Sequence, residues 1–156
     1  MKCVHRKLPI TLSIAMLAGC AQLPEAVNGW IDIPLREGTF AESTVTYKSG
    51  TYEIPVYAYQ ALEYKLGILE GDTVTYEWST GMQNPELLEV EFHGHTDRVV
   101  EEPGLLMFYK IHNDGSESGT LQAPFSGIHG WYLNNQSAED IVVVLNVSGF
   151  YTEIDQ

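Results

Sequence analysis

Four histidines lie beyond the first twenty residues: His93, His95, His112 and His129. In His93-Gly94-His95 the two imidazoles share one face if the chain is extended, because side chains of a strand repeat with period 2. Asp97 follows at the same interval, and His-x-His-x-Asp is a donor set that Zn²⁺ or Cu²⁺ accepts through imidazole nitrogen and carboxylate oxygen. His129 adds a third imidazole if segments 92–97 and 127–131 meet at one end of the fold. A plainer reading stands beside this one. His93 is then a packed strand-end residue bonded to a backbone carbonyl, and His95 is simply exposed on a loop. An i, i+2 pair alone binds weakly, so Zn or Cu is a cofactor only if further ligands converge.

Motifs for catalysis are missing. Ser126-Gly127 and Ser148-Gly149 do not sit in a Gly-x-Ser-x-Gly elbow. Glu101-Glu102 and Glu139-Asp140 fall in turn-like segments and read as solvated patches, not as carboxylates facing each other across a cleft. The expectation is a protein that is not an enzyme. Tyr57, Tyr59 and Tyr109 are candidates for an interaction surface, since Tyr is enriched at interfaces. Trp78 and Trp131 read as core anchors. Gly127 and Gly130 suit a β-bulge or a bend that needs positive φ.

The elements that must position these residues are strands. Thr73 to Trp78 places Val74, Tyr76 and Trp78 on one face and Thr73, Thr75 and Glu77 on the other. The same alternation marks Tyr52–Tyr57, Leu62–Ile68 and Leu88–Phe92, and Pro55 confines the first of these to an edge or a bulge. Leu105–Ile111 is a more continuous apolar run and is predicted to be a central strand. Asn113-Asp114-Gly115-Ser116 is a turn. Gly119–Ala123, Gly127–Leu133 and Ile141–Tyr151 complete the series, with the aliphatic Val142–Leu145 predicted mid-sheet. Only Asn84–Leu88 and Ala58–Ala61 offer a helical alternative. Eight or so short strands at spacings of about 8–12 residues predict a single all-β domain over residues 51–156, a β-sandwich or a barrel.

The chain of 156 residues carries 8 Lys and Arg against 21 Asp and Glu, a formal net charge of −13. Residues 1–19 hold three basic residues (Lys2, Arg6, Lys7) and no acid, so the remainder carries 5 basic and 21 acidic residues, net −16. So acidic a surface repels phosphate backbones, and no nucleic-acid partner is expected. With 44% hydrophobic and 11% aromatic residues the chain can build a core, which excludes disorder of the body.

Met1 to Lys7 is basic, Leu8 to Ala18 is apolar, and small residues follow, the pattern of a secretory signal peptide over residues 1–19. The apolar run of about 11 residues is too short for a membrane-spanning helix, which needs about 20. Leu17-Ala18-Gly19-Cys20 is similar to the bacterial lipobox. That resemblance implies cleavage before Cys20 and acylation of its thiol and amine with palmitate-type chains, giving a membrane partner held through the acyl chains. Two chains already anchor stably. Ala21 rather than Asp after the Cys implies, by resemblance to sorted lipoproteins, an outer-membrane anchor facing the periplasm. Cys3 leaves with the signal and Cys20 is used by lipid, so the body has no disulfide. Residues 20–50 read as the acylated Cys and a tether, with Thr44–Tyr47 a candidate first edge strand.

Glu53-Ile54-Pro55, Glu63-Tyr64-Lys65-Leu66, Glu70-Gly71-Asp72, Phe92-His93-Gly94, the stretch Ala123 to Asn135 and Val147-Ser148-Gly149-Phe150-Tyr151 resemble a bacterial family of envelope anchor-type proteins. Their order is also similar to the Golgi-dynamics (GOLD) domain. The resemblance spans about residues 51–151, and 123–135 is its specific part. It implies a jelly-roll, GOLD-like antiparallel β-sandwich used for protein–protein contact, with no catalytic residues, as a binding or accessory module for another envelope protein. The chain lacks the disulfide-forming cysteines of the eukaryotic domains, and where the bacterial members more often have a transmembrane anchor, a lipid is expected to do that job. A metal-handling module using the clustered histidines is the alternative.

Overall fold

The computed structural model describes residues 28–98 and 103–155. Residues 1–19, read above as a signal peptide, and Cys20 lie outside them. The chain divides into a unit ending at Phe40 and a second unit running from Ala41. In the first, Asn28-Gly29 and Glu37-Gly38 form turns, the latter closed by a Thr39 N–H bond to the Arg36 carbonyl at 3.1 Å. No helix among the described residues is long and apolar enough to cross a membrane.

The second unit is an all-β sandwich of two antiparallel sheets. Its strands are β1 (Tyr47–Val56), β2 (Ala61–Ile68), β3 (Thr73–Thr80), β4 (Leu88–His95), β5 (Leu106–Asn113), β6 (Ser116–Gln122), β7 (Gly127–Asn135), β8 (Ile141–Phe150) and the short β9 (Thr152–Glu153). One sheet has the order β1-β8-β3-β6 and the other β5-β4-β7-β2-β9. The predicted alternation is what is buried: Val74, Tyr76 and Trp78 of β3, Leu88, Val90 and Phe92 of β4, and Ile141, Val143, Leu145 and Val147 of β8 face inward. Trp131 stacks flat on Phe92, centroids 4.6 Å apart, while Tyr76 meets both edge-on, so one aromatic cluster joins the two sheets. Trp78 and Trp131 are core residues, as expected. β8 is central and β1, with Pro55, is an edge.

Several expectations need correction. β1 begins at Tyr47, inside the stretch read as tether, because Tyr47 pairs with Phe150 of β8 and their rings meet edge-on at 5.5 Å. The candidate helix at Asn84–Leu88 is one 3-10 turn, Pro85–Leu87, and Ala58–Ala61 is a turn leading into β2. Gly127 and Gly130 do not have positive φ. They are glycines because backbone passes too close: a Cβ on Gly130 would overlap the Tyr64 carbonyl oxygen, and one on Gly127 the His95 carbonyl oxygen. The largest correction concerns β5. It is the edge of the five-stranded sheet, not its centre, and Leu106, Phe108 and Ile111 are 60%, 48% and 56% exposed.

Both lateral openings of the sandwich are closed by polar side chains. On the β5/β6 side the Tyr76 hydroxyl donates to Glu117 Oε1 at 2.6 Å, while Lys110 Nζ and His112 Nε2 lie 3.5 and 3.0 Å from the same carboxylate. On the β1/β9 side the Tyr52 hydroxyl bonds Tyr151 at 2.9 Å and donates to Glu153, which also pairs with Lys48 at 2.9 Å.

Candidate functional site

The outer face of the five-stranded sheet is assembled by register. β7 sits between β4 and β2, and its Gly130 is paired with His93 on one side and Lys65 on the other. Cross-strand partners share a face, so His93 and His95 point outward together with Glu63 and Lys65. β2 and β4 are separated by β7, about 9–10 Å apart from each other. Because Gly130 carries no side chain, the space above β7 stays open and side chains from its two neighbours meet there. His93 Nε2 is 3.2 Å from Glu63 Oε1 and His95 Nε2 is 3.7 Å from the same oxygen. The two imidazoles stack with centroids 5.9 Å apart. Glu63, His93 and His95 thus present three ligand atoms that all lie within 4.8 Å of one another.

The far nitrogens fix the tautomers. His93 Nδ1–H donates to the Glu91 carbonyl at 3.4 Å and His95 Nδ1–H to the Thr96 carbonyl at 3.2 Å. A carbonyl only accepts, so each Nδ1 carries a proton, and in the neutral ring that leaves an Nε2 lone pair on the side of Glu63. The plain reading of His93 is therefore right about its backbone carbonyl, and the shared face predicted for the pair is also present.

The other two proposed ligands are elsewhere. Asp97 is exposed beyond the end of β4 and is not part of the cluster. His129 is paired with Gly94, not with His93 or His95, so it lies on the opposite, core-facing side of the sheet, 1% exposed. Both of its nitrogens are used there: Nε2–H donates to the Phe125 carbonyl at 3.0 Å, leaving Nδ1 to accept from the Tyr109 hydroxyl at 2.7 Å. Gly94 makes room for that bond, since a Cβ on it would overlap both His129 Nδ1 and the Tyr109 oxygen. Burial is the main reason the His129 pKa is lowered, with His95 and His93 adding to it and the Phe125 bond opposing. Burial likewise pushes the Tyr109 hydroxyl up to about 12, so it stays a donor.

Glu63 was missed in the sequence because it lies thirty positions from His93 and joins it only through β7. Its outward position was legible from the alternation of Leu62–Ile68, but its neighbour was not. Of the tyrosines proposed for contact, Tyr57 and Tyr59 are exposed in the β1–β2 turn, 58% and 74%, and Tyr59 has φ +57°. Tyr109 is instead the extra residue of a β-bulge opposite Phe92/His93, which turns it inward onto Phe92 and His129.

The bulge is also what gives β5 its apolar outer side. Leu106, Phe108 and Ile111 pair with His95, His93 and Glu91, so all three share the outer face. Among the described residues no strand pairs with the outer edge of β5. The stripe is bordered inward by Glu91 and Glu89 of β4.

No protein-family model and no curated protein matches the chain. It is similar to a solved structure, that of Aeromonas hydrophila PliG, a periplasmic lysozyme inhibitor of g-type lysozyme, at 21% identity and a TM-score of 0.42, over 66% of this chain and 87% of that one. At that level the likeness assigns neither a family nor a partner.

Proposed function

We propose that this chain is a non-catalytic binding module of a bacterial envelope, acylated at Cys20 and docking another protein on strand β5. One observation carries the reading: an unpaired edge strand whose outer side offers Leu106, Phe108 and Ile111 to solvent. Soluble monomers blunt such edges with charge, proline or cover, and an exposed apolar edge otherwise invites pairing. The occupant is an extended segment of a basic partner. Its backbone adds to the β5 edge, its apolar side chains lie on the stripe, and its Lys or Arg residues meet Glu89 and Glu91. A second copy of this chain is a poor occupant, because a body of net −16 repels itself. The GOLD-like resemblance supports the same use of the sandwich. The lipobox resemblance and Ala21 support a periplasm-facing outer-membrane anchor.

Site-specific photo-crosslinking in the lipidated chain tests this. A cross-linker at position 108 or 111 is expected to give one discrete heteromeric adduct whose partner peptide is extended and basic. Phe108→Lys is expected to abolish the adduct formed from position 111. Equal yields from position 142 on the opposite sheet, or an adduct of this chain with itself, would overturn the proposal.

A further inference from the structure

The geometry points to a second site on the same sheet face, distinct from β5 docking: Glu63, His93 and His95 bind one divalent transition metal ion of the Zn²⁺ or Cu²⁺ class.

Three features of the cluster lead to it. First, Glu63 Oε1 is buried and makes no hydrogen bond, although both Nε2 atoms lie within 3.7 Å of it. Second, the backbone bonds of the two Nδ1 atoms leave Nε2 as the ligating nitrogen of each neutral ring, so three atoms able to hold a metal ion converge within 4.8 Å of one another. Third, the spacing suits a metal. With Zn–N and Zn–O bonds of about 2.0–2.1 Å, tetrahedral ligands stand about 3.3–3.4 Å apart, and the Glu63 oxygen lies 3.2 and 3.7 Å from the two nitrogens.

The surroundings fit the same use. Carbonyls on the distal nitrogens orient each ring, as is usual for metal-binding histidines. Lys65 Nζ is 3.9 Å from Glu63 Oε2, the carboxylate oxygen other than the one beside the imidazoles. The side chains of His93, Glu63 and His95 are 11%, 23% and 31% exposed, which leaves the outward side of the cluster open to a solvent ligand. Two imidazoles and a carboxylate, with no thiolate or thioether, select borderline divalent ions over Cu⁺ or Ca²⁺.

The test is calorimetric titration of the full chain, stripped with chelator and held in detergent, with Zn²⁺ and separately Cu²⁺. One ion per chain is expected. Glu63→Gln and His95→Ala should each weaken binding at least 10-fold, whereas Asp97→Asn and His112→Asn should leave it unchanged. Glu63→Gln is nearly isosteric, and a thermal melt checks that each variant is folded. Co²⁺ substitution should give the visible absorption of a tetrahedral ion with nitrogen and oxygen donors. Absence of one-to-one binding, or binding that survives Glu63→Gln or is lost with Asp97→Asn, would overturn the assignment. None of those outcomes bears on β5, whose cross-links are read without metal.

Discussion

The bond between Tyr109 and His129 offers the sharpest test of how this fold is held. Tyr109→Phe removes a single oxygen and leaves the ring where it is, edge-on to Phe92 at 5.0 Å and stacked near His129. No cavity larger than one atom forms. What changes is that His129 Nδ1, on a side chain 1% exposed, loses its donor while Nε2–H stays committed to Phe125. An unsatisfied buried acceptor costs about 1–3 kcal/mol. At about 4 °C per kcal/mol for a body of this size, the Tm should fall by about 4–12 °C. The pH dependence supplies a second readout. Burial lowers the folded pKa of His129 below its ordinary value, so the unfolded chain binds the proton more readily. The stabilisation is present above about pH 6.5 and is lost as pH falls through the depressed folded value. Tyr109→Phe should keep that acid-side loss, because burial is its main cause, while His129→Gln should remove its share. Denaturant titrations from pH 8 to 5 read both. A Tyr109→Phe variant within about 0.3 kcal/mol of the parent at pH 8 would refute the bond as drawn.

Other expectations follow from single contacts. Asn135 is fully buried and its amide nitrogen donates to the carbonyls of Val56, Tyr57 and Glu139 at 2.8–3.2 Å. Asn135→Asp turns a donor into a buried charge facing carbonyl oxygens and should cost at least about 3 kcal/mol by chemical denaturation. Gly94→Ala should cost about as much or more than Tyr109→Phe, since its Cβ would displace both members of the His129–Tyr109 bond. His112 is lowered chiefly by burial, with Lys110 adding and Glu117 and Asp114 opposing, so His112→Asn should also flatten the loss of stability below about pH 6.5. Metabolic labelling with palmitate should mark the parent chain and not Cys20→Ser.

How much of this was legible depends on which links are local. Alternation within a strand is a property of consecutive residues, and it correctly identified strands, inward faces and the two core tryptophans. It also set His93 and His95 on one face. The apolar run at Leu105–Ile111 misled because hydrophobicity alone does not distinguish a strand buried on both faces from an edge strand whose apolar side is exposed. The bulge at Tyr109 adds to the difficulty, since one extra residue reverses the face of everything beyond it.

By itself the sequence determined the acidic body, the basic and apolar composition of the residues before Cys20, and a chain of alternating strands with Trp78 and Trp131 in its core. Only the tertiary structure decided which strands are neighbours and in what register. That register put His129 behind the sheet, brought Glu63 across Gly130 to the paired histidines, and left β5 at an open edge. The physical reason is that period 2 fixes a residue's face only relative to its own strand, whereas the pairing between strands is set by contacts many residues apart.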